Sequence, residues 1–169
     1  NDADLAGIAE AHTVGKPRLC LYVTFSTGIG TGLTYNGKLF PGLDYFEGGS
    51  MRIDYRGNRE RWEAIASGHN FYERYGQYGS EIDDPDKWRD YAERVASGLE
   101  ALIPLLEPDH VIIGGSMGTH FAKYGHYLQE YLENTIAQHM VGVEITQAKH
   151  PEEAVVYGCY YYAVDQLAA

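Results

Sequence analysis

A strand-like run at residues 18–25 (RLCLYVTF) breaks into the glycine-rich stretch 26–32, and a second apolar run at 109–113 (DHVII) breaks into Gly114-Gly115 ahead of a helical stretch from about 117 to 138. Strands that give way at glycine and alternate with helices restrict the chain to an α/β fold. The intervening segments agree. Residues 32–35 read as a second strand, Asn36-Gly37 is the strongest short hairpin signal available, and 38–40 form the return strand before Pro41-Gly42. Residues 1–12 place Leu5, Ile8 and Ala9 on one helical face, with Asn1 or Asp2 able to cap the start and Gly15 and Pro17 to end it. Asp84-Pro85 opens a long helix over about 85–106, in which Trp88, Tyr91, Val95, Leu99, Leu102 and Leu106 follow helical spacing and Pro104 kinks or ends the run. Shorter helices are expected at 60–67 and 69–80, an irregular stretch at 44–58, a strand at 141–146 and an apolar closing helix at 152–167.

Charge narrows the function. With 13 Lys+Arg against 24 Asp+Glu the net charge is −11, and nucleic-acid binding needs a basic face that such a chain does not offer. An anionic membrane surface is disfavoured for the same reason. Nucleotide binding stays open, because backbone N–H groups can hold phosphate in an acidic protein. Cys20 and Cys159, each in an apolar stretch, read as two buried free thiols in a reduced, cytoplasmic setting. No apolar run reaches the roughly 20 residues that span a bilayer, and no charged-then-apolar leader is visible. The chain opens Asn1-Asp2 without an initiator Met, so it is expected to be a piece of a longer protein.

Three features could carry chemistry. Thr27-Gly28-Ile29-Gly30-Thr31-Gly32 lies between two strands, where glycine lets backbone approach a ligand and aim N–H groups at phosphate; a tight ligand-free turn fits the same residues, and the Lys of a Walker A loop is missing. Gly114-Gly115-Ser116 is a strand–glycine–helix junction, a common seat for a nucleotide and equally a close-packed turn. Asp2, Glu47 and Glu63 are carboxylates able to act as a general base or to accept from sugar hydroxyls, although among 24 acidic residues a solvated surface charge is the ordinary role. The seven histidines are scattered, and the Tyr72–Tyr75–Tyr78 and Tyr160–Tyr162 clusters read as core edge or interface.

Taken in order, these elements resemble the C-terminal part of a ROK-family sugar kinase. Asn1-Asp2-Ala3 is similar to the family's Asn-Asp-Ala element, and Thr27–Gly32 with Asn36-Gly37-Lys38-Leu39 to its second phosphate loop and hairpin. Glu47-Gly48-Gly49-Ser50 falls where the family has Glu-x-Gly-His, Glu63-Ala64-Ile65-Ala66-Ser67-Gly68 resembles its Glu-Ala-Tyr-Ala-Ser-Gly stretch, and Val111–Gly115 its adenosine-side motif. Gly158–Ala163 sits where the family has a small-residue helix. The resemblance implies the C-terminal lobe of an actin-like (ribonuclease H-like) ATPase fold, with an N-terminal lobe absent from this chain. It implies Asp2 as catalytic base, Asn1, Glu47 and Glu63 as sugar contacts, and Thr27, Gly28, Gly30, Gly114 and Gly115 on the nucleotide. The partners would be a hexose, glucose-like, and ATP with Mg²⁺, in a homodimer. The rival readings are the sugar-sensing half of a repressor and a non-catalytic binding or oligomerisation domain.

Two departures matter. The family's His is Ser50 here, and residues 51–62 (MRIDYRGNRERW) contain no Cys and no His. In the family that His and a cysteine cluster hold zinc; a zinc site needs about four N or S ligands, so none is expected and hexose recognition is altered. Polyphosphate-using glucokinases of the family also lack the cysteines and share the Asn-Asp-Ala-Asp start, though they keep the His.

Overall fold

The computed structural model describes residues 1–43, 46–136 and 142–167. A helix, α1 (Asp2–Thr13), leads into a hairpin of β1 (Leu19–Phe25) and β2 (Ile29–Tyr35), followed by a two-residue strand β3 (Lys38–Leu39). A second hairpin, β4 (Arg52–Tyr55) and β5 (Asn58–Arg61), precedes the short helices α2 (Trp62–Ala66) and α3 (Gly68–Tyr75). The long helix α4 (Pro85–Leu106) returns the chain to β6 (His110–Gly114). The one-turn helix α5 (Gly115–Gly118), α6 (Phe121–Thr135), β7 (Glu144–Gln147) and α7 (Ala154–Leu167) complete the order.

Five strands form one mixed sheet in the order β3-β2-β1-β6-β7. The central strand β1 pairs antiparallel with β2, from Leu19↔Tyr35 to Phe25↔Ile29, and parallel with β6, from Cys20↔His110 to Thr24↔Gly114. Period-two alternation sorts β1 between two cores. Leu19, Leu21, Val23 and Phe25 join Val111 and Ile113 in a large-residue core with Trp62, Trp88, Tyr91, Leu99 and Tyr124 beneath α4 and α6. Cys20, Tyr22 and Ile112 face the other way, onto a core of alanines from α1 and α7.

The Asn36-Gly37 hairpin forms as expected, with Asn36 at φ 52° and Gly37 at φ 77°. α4 spans the expected range, capped by the Asp84 side chain, with Pro104 in its last turn. Other expectations change, the helices foreseen at 60–67 and 69–80 among them: the first begins only at Trp62, after β5, and the second ends at Tyr75 against a left-handed Gly76. The glycine stretch is not a loop throughout: only 26–28 turn, and β2 begins at Ile29 rather than at 32. The segment expected to be irregular contains the β4–β5 hairpin, turned at Arg56 (φ 50°) and Gly57 (φ 82°); its strands are polar and only Ile53 is buried, so no apolar alternation marks it. The helix expected over about 117–138 is broken after α5, and its expected end lies outside the described residues, as does the expected start of the last strand. Cys20 is buried as expected, but Cys159 is exposed on α7.

Candidate functional site

The first residues of α1 are set by a capping box: the Asn1 side chain accepts from the Asp4 N–H at 2.9 Å, and the Asp4 carboxylate accepts from the Asn1 nitrogen at 3.0 Å. This fixes Asp2 in the first helical turn, where its side chain is exposed. α1 lies unusually close to the sheet. A Cβ on Gly32 would collide with the Ala3 carbonyl, and one on Gly30 would stand 3.1 Å from the Ala3 Cβ. The glycines of β2 therefore admit a helix, which accounts for Gly30 and Gly32 without any ligand.

Three cavities run on from one another along this edge. The first, about 400 Å³, is lined by Asn1, Asp2, Thr24, Gly30 and Glu47. Glu47 is held there from behind: the Thr31 hydroxyl donates to the Phe46 carbonyl at 3.1 Å and accepts from the Gly48 N–H at 2.9 Å. The second cavity, about 520 Å³, shares Asp2 and Thr24 with the first and continues past the hydroxyls of Ser26, Thr27 and Ser116 to Gly115 and Glu152. The third, about 730 Å³, shares Ser26, Thr27, Ser116 and Glu152 with the second and widens among His69, Tyr72, Tyr78 and His120. Asp2 thus borders both the first and the second cavity, and Glu152 both the second and the third.

The middle cavity is built of backbone and hydroxyls. The Ser26 N–H turns back to the Gly28 carbonyl at 2.9 Å, and the amide of Thr27, which lines the cavity, has no partner among the described residues. Unpaired turn amides suit an anion. Tyr22 also lines this cavity, and burial pushes its phenol up to about 12, so it remains a neutral hydroxyl. In the third cavity the Tyr72 and Tyr78 rings stand 4.7 Å apart at 33°. His120 is held below the usual histidine range by burial, with the nearby Lys123 charge acting the same way, so it too presents a neutral ring. Flat, uncharged aromatic surfaces of this kind suit a heterocyclic base.

The expected site residues divide. Asn1, Asp2 and Glu47 meet in the first cavity, and Thr27 and Gly115 line the second. Gly30 faces the first cavity rather than the second, because it lies in β2 under Ala3. Gly28 and Glu63 line none of the three cavities: Glu63 Oε2 is 3.3 Å from where a Cβ on Gly28 would lie, and its other oxygen pairs with Arg61 at 3.4 Å. Gly114 makes room for a side chain, since a Cβ there would collide with the Tyr22 hydroxyl. The Gly115 N–H is already donated to the Pro151 carbonyl at 2.9 Å, and its φ of +78° permits the turn itself. Sequence reasoning missed Thr24, Ser26, Glu152 and the His69–Tyr72–Tyr78–His120 ring. Only Ser116, adjoining Gly114-Gly115, carried a usable signal. Among the described residues no group of three or more His, Cys, Asp or Glu is placed to hold a metal ion.

Residues 1–166 match the family model of the ROK family. The chain is 32% identical over 122 residues to a polyphosphate glucokinase of Mycobacterium leprae, a match covering 69% of this chain and 32% of that protein. A ROK family glucokinase from Streptomyces griseus, solved in complex with glucose and AMPPNP, is similar in structure with a TM-score of 0.80 at 20% identity, over 98% of this chain and 67% of that one. A ROK family transcriptional regulator is similar with a TM-score of 0.71 at 15% identity, over 95% of this chain and 51% of that one. The matches span 32 to 42% of the length of the curated relatives. The mixed α/β architecture is the actin-like ATPase fold of the ROK sugar kinases.

Proposed function

This chain belongs to the ROK family, and we propose that it is the C-terminal lobe of a sugar kinase that transfers the γ-phosphoryl group of ATP to a hexose hydroxyl. The observation that supports this best is the position of Asp2, a carboxylate bordering both the Asn1–Glu47 pocket and the hydroxyl-lined groove. A base belongs at that junction if acceptor and donor meet there.

In this reading the hexose occupies the first cavity, with Glu47 accepting from its hydroxyls and the Asn1 side-chain NH₂ donating to them. Glu63 lies beside Gly28, outside that cavity, and takes no part in holding the hexose in this reading. Asp2 accepts the proton of the attacking hydroxyl as its oxygen bonds to the γ-phosphorus and the bond to the ADP oxygen breaks. The amide of Thr27 and the hydroxyls of Ser26 and Ser116 line the path of the phosphates, and the base lies among Tyr72, Tyr78 and His120. The donor would enter as its Mg²⁺ complex; Asp2 and Glu152, which border the same cavity, would offer it carboxylate oxygens, and the ion would neutralise phosphate charge. A site built on hydrogen bonds to hydroxyls rejects a sugar lacking one of them, because the unmatched group is left buried.

The test is a hexose panel with MgATP in a coupled assay on the full-length protein that carries this lobe, together with sugar binding by calorimetry. Phosphorylation of a hexose by wild type and its near-loss in Asp2→Asn, with sugar affinity retained, supports the kinase. Tight sugar binding with no turnover at any donor would replace it with the sensor reading that the regulator neighbour represents, and no binding of sugar or nucleotide would leave an assembly role.

A further inference from the structure

Glu10 is the one acidic residue of α1 whose side chain is wholly buried, at 0% exposure. It is eight positions from Asp2 on the same helix and borders none of the three cavities described above. Its carboxylate is nevertheless fully engaged across the fold: Oε2 accepts from the Lys149 N–H at 2.7 Å and Oε1 from the His150 N–H at 2.8 Å. Both donors belong to the connection between β7 and α7. The next two residues, Pro151 and Glu152, are a wall of the middle cavity, and Ala154 and Val155 extend it. Two further bonds secure the same connection to β6 and its turn, Ala148 N–H to the Ile113 carbonyl at 2.8 Å and Gly115 N–H to the Pro151 carbonyl at 2.9 Å.

We infer that Glu10 is a positioning residue of the donor groove: by gripping the Lys149 and His150 amides it fixes the Pro151–Glu152 wall relative to the helix that carries Asp2. The physical case rests on the grip being double and charged. Hydrogen bonds to an ionised acceptor are roughly twice as strong as neutral ones. A buried amide that loses its partner costs the full desolvation of that group, so the connection would move to find another. A shift of about 1 Å in a wall that orients a reacting group can cost on the order of a hundredfold in rate. Because one rigid helix carries Asp2 at its start and Glu10 in its last turns, the base and the groove wall share a single reference.

This inference rests on the kinase reading, and two readouts separate them. In the full-length protein that carries this lobe, with Glu10→Gln, which keeps one carbonyl acceptor, or Glu10→Leu, which keeps apolar bulk alone, hydrogen exchange of the Lys149 and His150 amides should rise in the order wild type, Gln, Leu. Affinity for the non-hydrolysable donor MgAMPPNP should fall in the same order, and kcat with MgATP by about tenfold for Gln and a hundredfold for Leu, while hexose affinity stays within about twofold. Faster exchange with unchanged donor affinity would make Glu10 a purely structural tether and overturn the inference. Unchanged exchange would overturn it directly. A wild type that binds no donor fails the kinase reading itself, and the inference falls with it, whereas a wild type that binds and turns over beside unaffected variants removes Glu10 alone. A variant that does not fold is recognised by loss of protection throughout β1 and β6, and Glu10→Asp, which keeps the charge on a shorter arm, then replaces it: donor affinity between wild type and the unfolded limit supports the grip, and wild-type affinity despite exposed amides refutes it.

Discussion

The two faces of the central sheet are built by opposite means. Beneath α4 and α6 the interior is filled by volume: Trp62, Trp88, Tyr91 and Tyr124 are all buried, with Phe71 packed edge-on against Tyr91 at 5.2 Å. Beneath α1 and α7 it is filled by closeness: Ala3, Ala6, Ala9 and Ala11 meet Tyr22 and Ile112, and Gly32 and Gly158 are hydrogen-sided because the neighbouring backbone lies where a methyl group would go. Large side chains stabilise through buried area. Small ones stabilise less per residue but bring backbone, helix terminus and sheet edge within reach of one ligand. The first two cavities of the candidate site adjoin the thin face where α1 begins, while the third opens beside Phe71 and Met117 of the thick face, which supplies the stability that the thin face lacks.

Substitutions that respect this division sharpen it. The largest effect is expected at Asp2. Asp2→Asn should lower kcat by roughly a hundred- to ten-thousandfold, the range for a positioned general base, with an unchanged melting temperature because the side chain is exposed. A wild-type rate would take the base away from the thin face. Leu99→Ala, at a fully buried position of α4, should do the reverse. It should cost about 2–5 kcal/mol of stability in a denaturant titration while turnover of the folded fraction stays near normal; a large kcat defect at low temperature would show the faces to be coupled.

Gly32→Ala should break the division, because at this glycine stability and site geometry share one contact. The new methyl would press on the Ala3 carbonyl, next to Asp2. About 1–3 kcal/mol of overpacking strain should appear together with a fall in kcat, and a stable, fully active variant would mean that α1 rides freely over the sheet.

The smallest effect is acid sensitivity, which engages both faces. His12, His110 and His120 titrate below the usual 6.5, each chiefly because burial disfavours the charged ring. The unfolded chain therefore takes up these protons near pH 6.5 while the native protein does not, and stability is lost as pH falls below that value. Asp90 acts lower. Burial opposes its ionisation, but hydrogen bonds from Tyr75 and Arg94 hold its carboxyl below the usual 3.8, so its contribution persists until pH drops through that range. The urea midpoint should be lower at pH 5.5 than at pH 7.5, and a higher midpoint in acid would contradict the buried, neutral histidines.

Much of the frame was legible along the chain. The spacing of Trp88, Tyr91, Val95 and Leu99 marked α4, Asn36-Gly37 marked a hairpin, and the apolar runs marked β1 and β6, because in each case the local pattern and the tertiary environment ask for the same residues. The β4–β5 hairpin was not legible. It buries Ile53 alone and is anchored through Arg56, which meets Glu93 at 2.6 Å and Asp90 at 3.1 Å. An ion pair 34 to 37 residues apart in sequence leaves no periodic trace. The glycines of 27–32 were legible as a place of close approach but not as to what approaches, which for Gly30 and Gly32 is α1.

The site divides in the same way. The sequence alone determined which residues have the right chemistry and which segments become strands and helices, because propensity, capping and side-chain period act over a few residues. Only the tertiary structure decided which of them meet. The parallel pairing of Thr24 with Gly114 sets the end of β1 beside the turn after β6, 90 residues on. The close seating of α1 on β2 brings Asp2 to Thr24 and Glu47, and the grip of Glu10 on the Lys149 and His150 amides carries Glu152 to the far wall. Those encounters depend on register and packing across the whole sheet, which no local stretch of residues encodes.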